Sequence, residues 1–209
     1  MNALGVDDRY TYPGSGGVLR NQLGITSHDL LDEAMNDFAT LGWAVMSLEP
    51  VPITFDFSYL CQIHHRLLGD IVGDEVVGHW AGQIRNGAAP LGAMGTGIPY
   101  AIESFMQSGL DDVFGQLKQK NYLTNLDQQG FFSALAEIWG YLTQIHPFRD
   151  GNTRSQTAFC DRLAVNAGHP VDWLNIDVNE LREKRLQAIT NSSHLARYLE
   201  TFALPTKES

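Results

Sequence analysis

Apolar residues in this chain recur every three to four positions in one segment after another, and no run alternates every second position over a strand's length. That period dictates helices. Behind Thr26 and Ser27 as candidate caps, Leu30, Leu31, Ala34, Met35, Phe38, Leu41 and Val45 mark the first long helix. Phe57, Leu60, Cys61, His64, Leu67, Leu68 and Ile71 mark a second, which closes in a stretch holding Gly69 and Gly73. A third carries Ile102, Phe105, Met106, Leu110, Val113, Phe114 and Leu117, with a break expected near Gly109. The fourth, capped by Asp127, buries Phe131, Leu135, Ile138, Trp139, Leu142 and Ile145. Pro147 disfavours the helical conformation of the residue before it, so this helix should stop at or just before His146. A fifth starts around Asn152, buries Ala158, Phe159, Leu163 and Ala164, and ends at Gly168 with Pro170 just beyond. Segments 179–189 and 193–202 read as one or two closing helices. The fold class is therefore all-α, with residues 86–100, rich in Gly and Pro, as an exposed loop or short hairpin that could serve as a flap.

Residues 1–209 suffice for a single domain with a full core and no covalent staples. Twenty-four acidic against fourteen basic residues leave a net charge of −10, which repels a phosphate backbone and argues against indiscriminate nucleic-acid or anionic-membrane binding. Any phosphate must be gripped locally. The two cysteines, Cys61 and Cys160, show no metal or redox spacing and fit a reducing compartment. No leader pattern and no membrane-spanning apolar run is visible, so a cytoplasmic protein is expected, export by a dedicated secretion machine remaining compatible. His64, His65 and His79 lack a carboxylate to complete a ligand triad and read as structural. Trp43, Trp80, Trp139 and Trp173 read as core or interface, and Arg182, Lys184 and Arg185, flanked by Glu180 and Glu183, as a solvated helix face.

Between the fourth and fifth helices lies His-Pro-Phe-Arg-Asp-Gly-Asn-Thr-Arg, residues 146–154. Free N–H groups at a helix N-terminus, backed by the helix dipole, attract an anion, and Gly151 lets the chain turn without a side chain in the way. Asn152 stands where an N-cap would, free to cap the helix or reach bound oxygens. Arg154 is a cation in a first turn, unfavourable against the dipole unless an anion is present. Asp150 beside such a pocket makes sense as a Mg²⁺ ligand bridging phosphates, and His146 has the intrinsic pKa to accept a proton near neutrality. Phe148 is assigned to the core as the anchor of the loop. One at a time these residues are ordinary turn and cap residues; together they leave no evident buried role for His, Asp, Asn and Arg in nine positions.

The nonapeptide closely resembles the signature loop of the Fic family, His-Pro-Phe-x-(Asp/Glu)-Gly-Asn-(Gly/Lys)-Arg-x-x-Arg. Weaker resemblance extends to Tyr12-Pro13-Gly14, to residues 63–71 and 80–85, and to residues 163–173. It implies a helical bundle with a short β-hairpin flap, and transfer of AMP from ATP to a Ser, Thr or Tyr hydroxyl of a target protein. In that scheme His146 is the general base and Asp150 holds Mg²⁺. Gly151, Asn152 and Thr153 lie against the phosphates, Arg154 grips the β or γ group, and the flap docks the target by strand addition. Thr153 replaces the usual Gly, and Thr157 stands where the signature's second Arg is expected. Those departures keep two alternatives open: phosphoryl transfer, and a weakened Fic fold acting as a nucleotide-binding interaction module. The inhibitory pattern (Ser/Thr)-x-x-x-Glu-(Gly/Asn) has no copy in either terminal helix: Ser27 is followed four residues on by Leu31, and Ser193 by Arg197. The resemblance is thus to members controlled by a separate small antitoxin.

Overall fold

The computed structural model describes residues 8–86, 90, 92–93 and 96–205. Among them are seven α-helices: α1 His28–Ser47, α2 Phe57–Leu68, α3 Glu103–Gln119, α4 Gln128–Ile145, α5 Asn152–Ala167, α6 Val178–Gln187 and α7 Ser193–Glu200. No sheet joins them among the described residues, so the all-α reading holds. Several starts are set by carboxylate caps: Asp56 accepts from the Tyr59 N–H, Asp127 from Gly130 and Asp177 from Glu180. Ser27 stands at the N-cap of α1 but makes no side-chain cap bond.

Helix α4 is the axis of the bundle. It touches α3, α5, α6 and α7, while α5 packs on α2 and α2 on α1. Phe131, Phe132, Leu135, Trp139 and Leu142 of α4 are fully buried, each worth about 1.5–3 kcal/mol relative to exposure. One hydrophobic cluster runs from Tyr10 to Leu199. Helix α2 ends at Leu68, short of the Ile71 expected from periodicity, with Gly69 as its C-cap still in helical conformation and its N–H on the His65 carbonyl.

One expectation is corrected. Helix α3 runs unbroken through Gly109, whose role is contact: a Cβ there would stand 3.2 Å from Ile145 Cγ1, so the missing side chain lets α3 approach the last turn of α4. The irregularity lies beyond α3, where Asn121, Tyr122 and Leu123 all take positive φ and bury Leu123. In the flap, the described residues pair antiparallel at one bridge between Gly92 and Pro99, with the Ala93 N–H donating to the Ile98 carbonyl at 2.8 Å, as a short hairpin requires. Flap residues 87–89, 91 and 94–95 lie outside the described residues. No helix among the described residues is long and apolar enough to cross a membrane.

Candidate active site

The α4–α5 connection is held from both ends. Pro147 excludes the helical region for His146, which takes φ 49°, ψ 62° and closes α4 as its C-cap, its N–H donating to the Leu142 carbonyl at 3.0 Å. At the other end Gly151, φ 74°, is the N-cap of α5. A Cβ on Gly151 would stand 2.2 Å from Leu68 Cδ1 and 3.2 Å from His64 Nε2, so only glycine fits, for space as well as for conformation. Phe148 is fully buried and stacks on Phe57 and on the His64 ring, as expected of the anchor.

Asn152 is not the cap. It is the first residue of α5, and its amide closes the loop on itself: Oδ1 accepts from the Phe148 N–H at 3.0 Å and Nδ2 donates to the Phe148 carbonyl at 2.8 Å. A buried role for this residue therefore exists, as the clasp on the Phe148 backbone. In consequence α5 has no side-chain cap, and the N–H groups of Asn152, Thr153 and Arg154 have no partner within the helix.

His64 is structural, as expected, and the fold shows what it holds. The Gly82 N–H donates to Nδ1 at 2.8 Å, which leaves Nε2 as the donor to the Asp150 carbonyl, also at 2.8 Å. Complete burial pushes its pKa down to about 4, so the ring is a neutral strut between α2, the segment before the flap and the loop. Arg85 does similar work from the other side: Nε donates to the His146 carbonyl and Nη2 to the Ala101 carbonyl, and its own N–H donates to the Pro147 carbonyl. Arg149 pairs with Asp8 at 2.9 Å.

His146 lies under the flap. The Tyr100 ring stacks on its imidazole, centroids 3.7 Å apart and planes 9° apart, and Nδ1 is buried without a hydrogen-bond partner. Burial, then the charges of Arg185 and Arg85, hold the His146 pKa well below its ordinary value, against a smaller opposing effect of the Thr143 backbone. The ring is neutral at physiological pH, and the burial that keeps it so also disfavours its protonated form.

Arg154 has company that the sequence did not reveal. Its guanidinium bonds Asp32 and Asn36 of α1, and Asp150 lies 3.6 Å away. Asp32 is largely exposed, so this pairing is weak and exchangeable for a stronger anion. Asp150 is itself part-exposed, with its carboxylate at the Gly151 N–H. Among the described residues no three His, Cys, Asp or Glu side chains converge as metal ligands. The Thr153 hydroxyl accepts from Arg185 of α6 at 2.9 Å, and the Thr157 hydroxyl is spent on the Thr153 carbonyl. Arg185 was expected on a solvated face; it is 3% exposed instead, because it shares the buried stripe of α6 with Leu181, four residues back.

A family model described as Fic/DOC family matches residues 54–164, which takes in α2 to α4, the whole loop and most of α5. The chain belongs to the Fic/DOC family. Among the Fic relatives, a protein adenylyltransferase of Bartonella henselae is 33% identical over 178 residues, 78% of this chain but 31% of its own length. The chain thus spans about a third of that relative. A probable protein adenylyltransferase Fic of Salmonella typhimurium is 29% identical, over 84% of this chain and 82% of the relative. In three dimensions the fold is similar to the BepC protein of Bartonella tribocorum, a VirB-translocated effector solved with bound AMPPNP, at TM-score 0.84, 29% identity, and coverage of 95% of this chain and 97% of that one.

Proposed function

We propose that this Fic domain transfers AMP from ATP to a hydroxyl side chain of a target protein. The observation that carries the reading is the uncapped N-terminus of α5, whose free N–H groups follow a loop that opens on a neutral imidazole. The adenylyltransferase relatives and the nucleotide analogue in BepC support the same chemistry.

In this reading the phosphates lie against the N–H groups of Asn152, Thr153 and Arg154, with Gly151 keeping the approach clear. The Arg154 guanidinium leaves the exposed Asp32 for the β or γ group. His146 takes the proton of the incoming alcohol as its oxygen bonds the α-phosphorus; the bond to the bridging oxygen breaks, and pyrophosphate departs. Tyr100 fixes the plane of the ring through the stack. Mg²⁺ fits the donor set, because it takes one or two carboxylates and fills its remaining positions with phosphate oxygens and water; Asp150 is that carboxylate, and the ion would neutralise charge on the departing phosphates. Asn152 acts through the loop, as the clasp that keeps His146 and α5 in register.

The target docks along the flap and the groove beside it, lined by Pro99, Tyr100, Phe105, Tyr141 and Gln144 next to the end of α4. Action in the cytoplasm and control by a separate small antitoxin belong to the same proposal. Incubation with ATP labelled on the α or the γ phosphate, in the presence of lysate protein, tests it. Protein labelled from the α position is expected. Label from the γ position alone would mean phosphoryl transfer, for which the uncharged Thr157 is the motivating feature, and nucleotide binding without label would mean an interaction module.

A further inference from the structure

Arg185 is a buried cation with neutral neighbours. Its Nη1 donates to Thr153 Oγ1 at 2.9 Å, and its Nη2 reaches Gln156 Oε1 at 3.2 Å and Thr143 Oγ1 at 3.4 Å. The guanidinium lies 5.5 Å from the centre of the Trp139 ring. Its Nε is buried without a partner. Among the described residues no carboxylate forms an ion pair with it. Burying a guanidinium without a counter-ion is costly, and the cost falls when an anion binds beside it. Burial draws its pKa down to about 10, which still leaves it charged at neutral pH.

The position of this cation is informative. Thr153, which it holds, is the exposed second residue of α5 and carries one of the free N–H groups. The bond from Arg185 to Thr153 sets the guanidinium on the α6 side of the α5 N-terminus. One turn along α5, Thr157 is neutral and offers nothing to an anion, since its hydroxyl is bonded to the helix backbone. The α5 N-terminus therefore has one first-turn cation, Arg154, on the α1 side, and a second, Arg185, delivered by α6 on the other.

We infer that Arg185 is a phosphate-binding residue of the nucleotide site, supplying from α6 the cation that position 157 of α5 lacks. It contacts the phosphates beyond the α group with the Nη1–H that it now spends on the exposed Thr153. This rests on the nucleotide-binding reading of the α5 N-terminus and adds a residue to it.

Calorimetric titration of the wild type and of Arg185→Gln with AMP, ADP and ATP, each with Mg²⁺, tests the assignment. The variant should bind AMP within about twofold of the wild type and ATP about 10- to 100-fold more weakly, the loss expected for one charge-assisted contact. Equal losses for all three nucleotides would indicate a merely structural residue, and an unchanged ATP affinity would rule the contact out; either overturns the inference. Should the variant not fold, the Arg185 Nε–H resonance of the wild type replaces it as the readout. A shift on adding ATP but not AMP supports the contact, and no shift at saturating ATP overturns it. A wild-type protein that binds none of the three nucleotides sinks the nucleotide-site reading itself, which is a different result from ATP binding that leaves Arg185 untouched.

Discussion

Gly151 is the residue with the least room for change. Alanine there combines a left-handed backbone with a Cβ driven into Leu68, so Gly151→Ala should lower stability by at least about 2 kcal/mol and weaken nucleotide binding together with it. Thermal denaturation and ATP titration of the same preparation would check both. His146→Ala has the opposite profile. It removes a proton acceptor but none of the phosphate ligands, so transfer should fall about 10²- to 10⁴-fold with ATP affinity changed only a few-fold. Labelling that survives the change would remove His146 from the role of base. The pair Asn152 and Arg154 shows why single residues are hard to assign from their order in the chain. Both suit a phosphate site on composition alone, yet the structure bonds one to the Phe148 backbone and the other to α1.

At the scale of elements, the loop owes its shape to α2. His64 is buried neutral, with its folded pKa of about 4 lying below the ordinary value of 6.5. Between those values the unfolded chain binds a proton that the native state does not, so stability is full above pH 6.5 and is lost as the pH falls towards 4. The loss between pH 7 and pH 5 should be about 2 kcal/mol from this residue alone. Denaturant unfolding at the two pH values, for the wild type and for His64→Gln, would reveal it as a smaller pH dependence in the variant. Helix α4 makes a second prediction. Exchanging a mid-helix glycine for alanine ordinarily stabilises by about 1 kcal/mol. At Gly140, however, the added Cβ would stand 2.3 Å from the Ala188 carbonyl oxygen, just beyond α6. Gly140→Ala should therefore destabilise, by about 1–3 kcal/mol, with a lower denaturant midpoint as the measure. Periodicity located α4 and the cap at Asp127 but could not show this, since a glycine's missing side chain matters only once a neighbour occupies its place. The same holds for Gly109, which looks like a helix break in the chain and is a contact point in the fold.

Over the whole molecule, a nucleotide held at the end of α5 ties together α1, α5, α6 and the flap, so its binding should register globally. ATP at about one hundred times its dissociation constant adds about 2.7 kcal/mol to unfolding, a rise in melting temperature of about 5–10 °C for a domain of this size. A thermal shift with ATP and Mg²⁺ measures it, and an unmoved transition at millimolar ATP would argue against the site. The buried stripes, the stop before Pro147, the glycine past α5 and the position of the loop between α4 and α5 were all readable along the chain, because period, proline sterics and helix-end chemistry act over a few neighbouring residues. The grip of His64 on the loop spans 86 positions, and that of Arg185 on Thr153 spans 32. Such partners meet only when helices pack, and packing then decides that His64 is a neutral strut and that Arg185 is buried among helices and not on a solvated face.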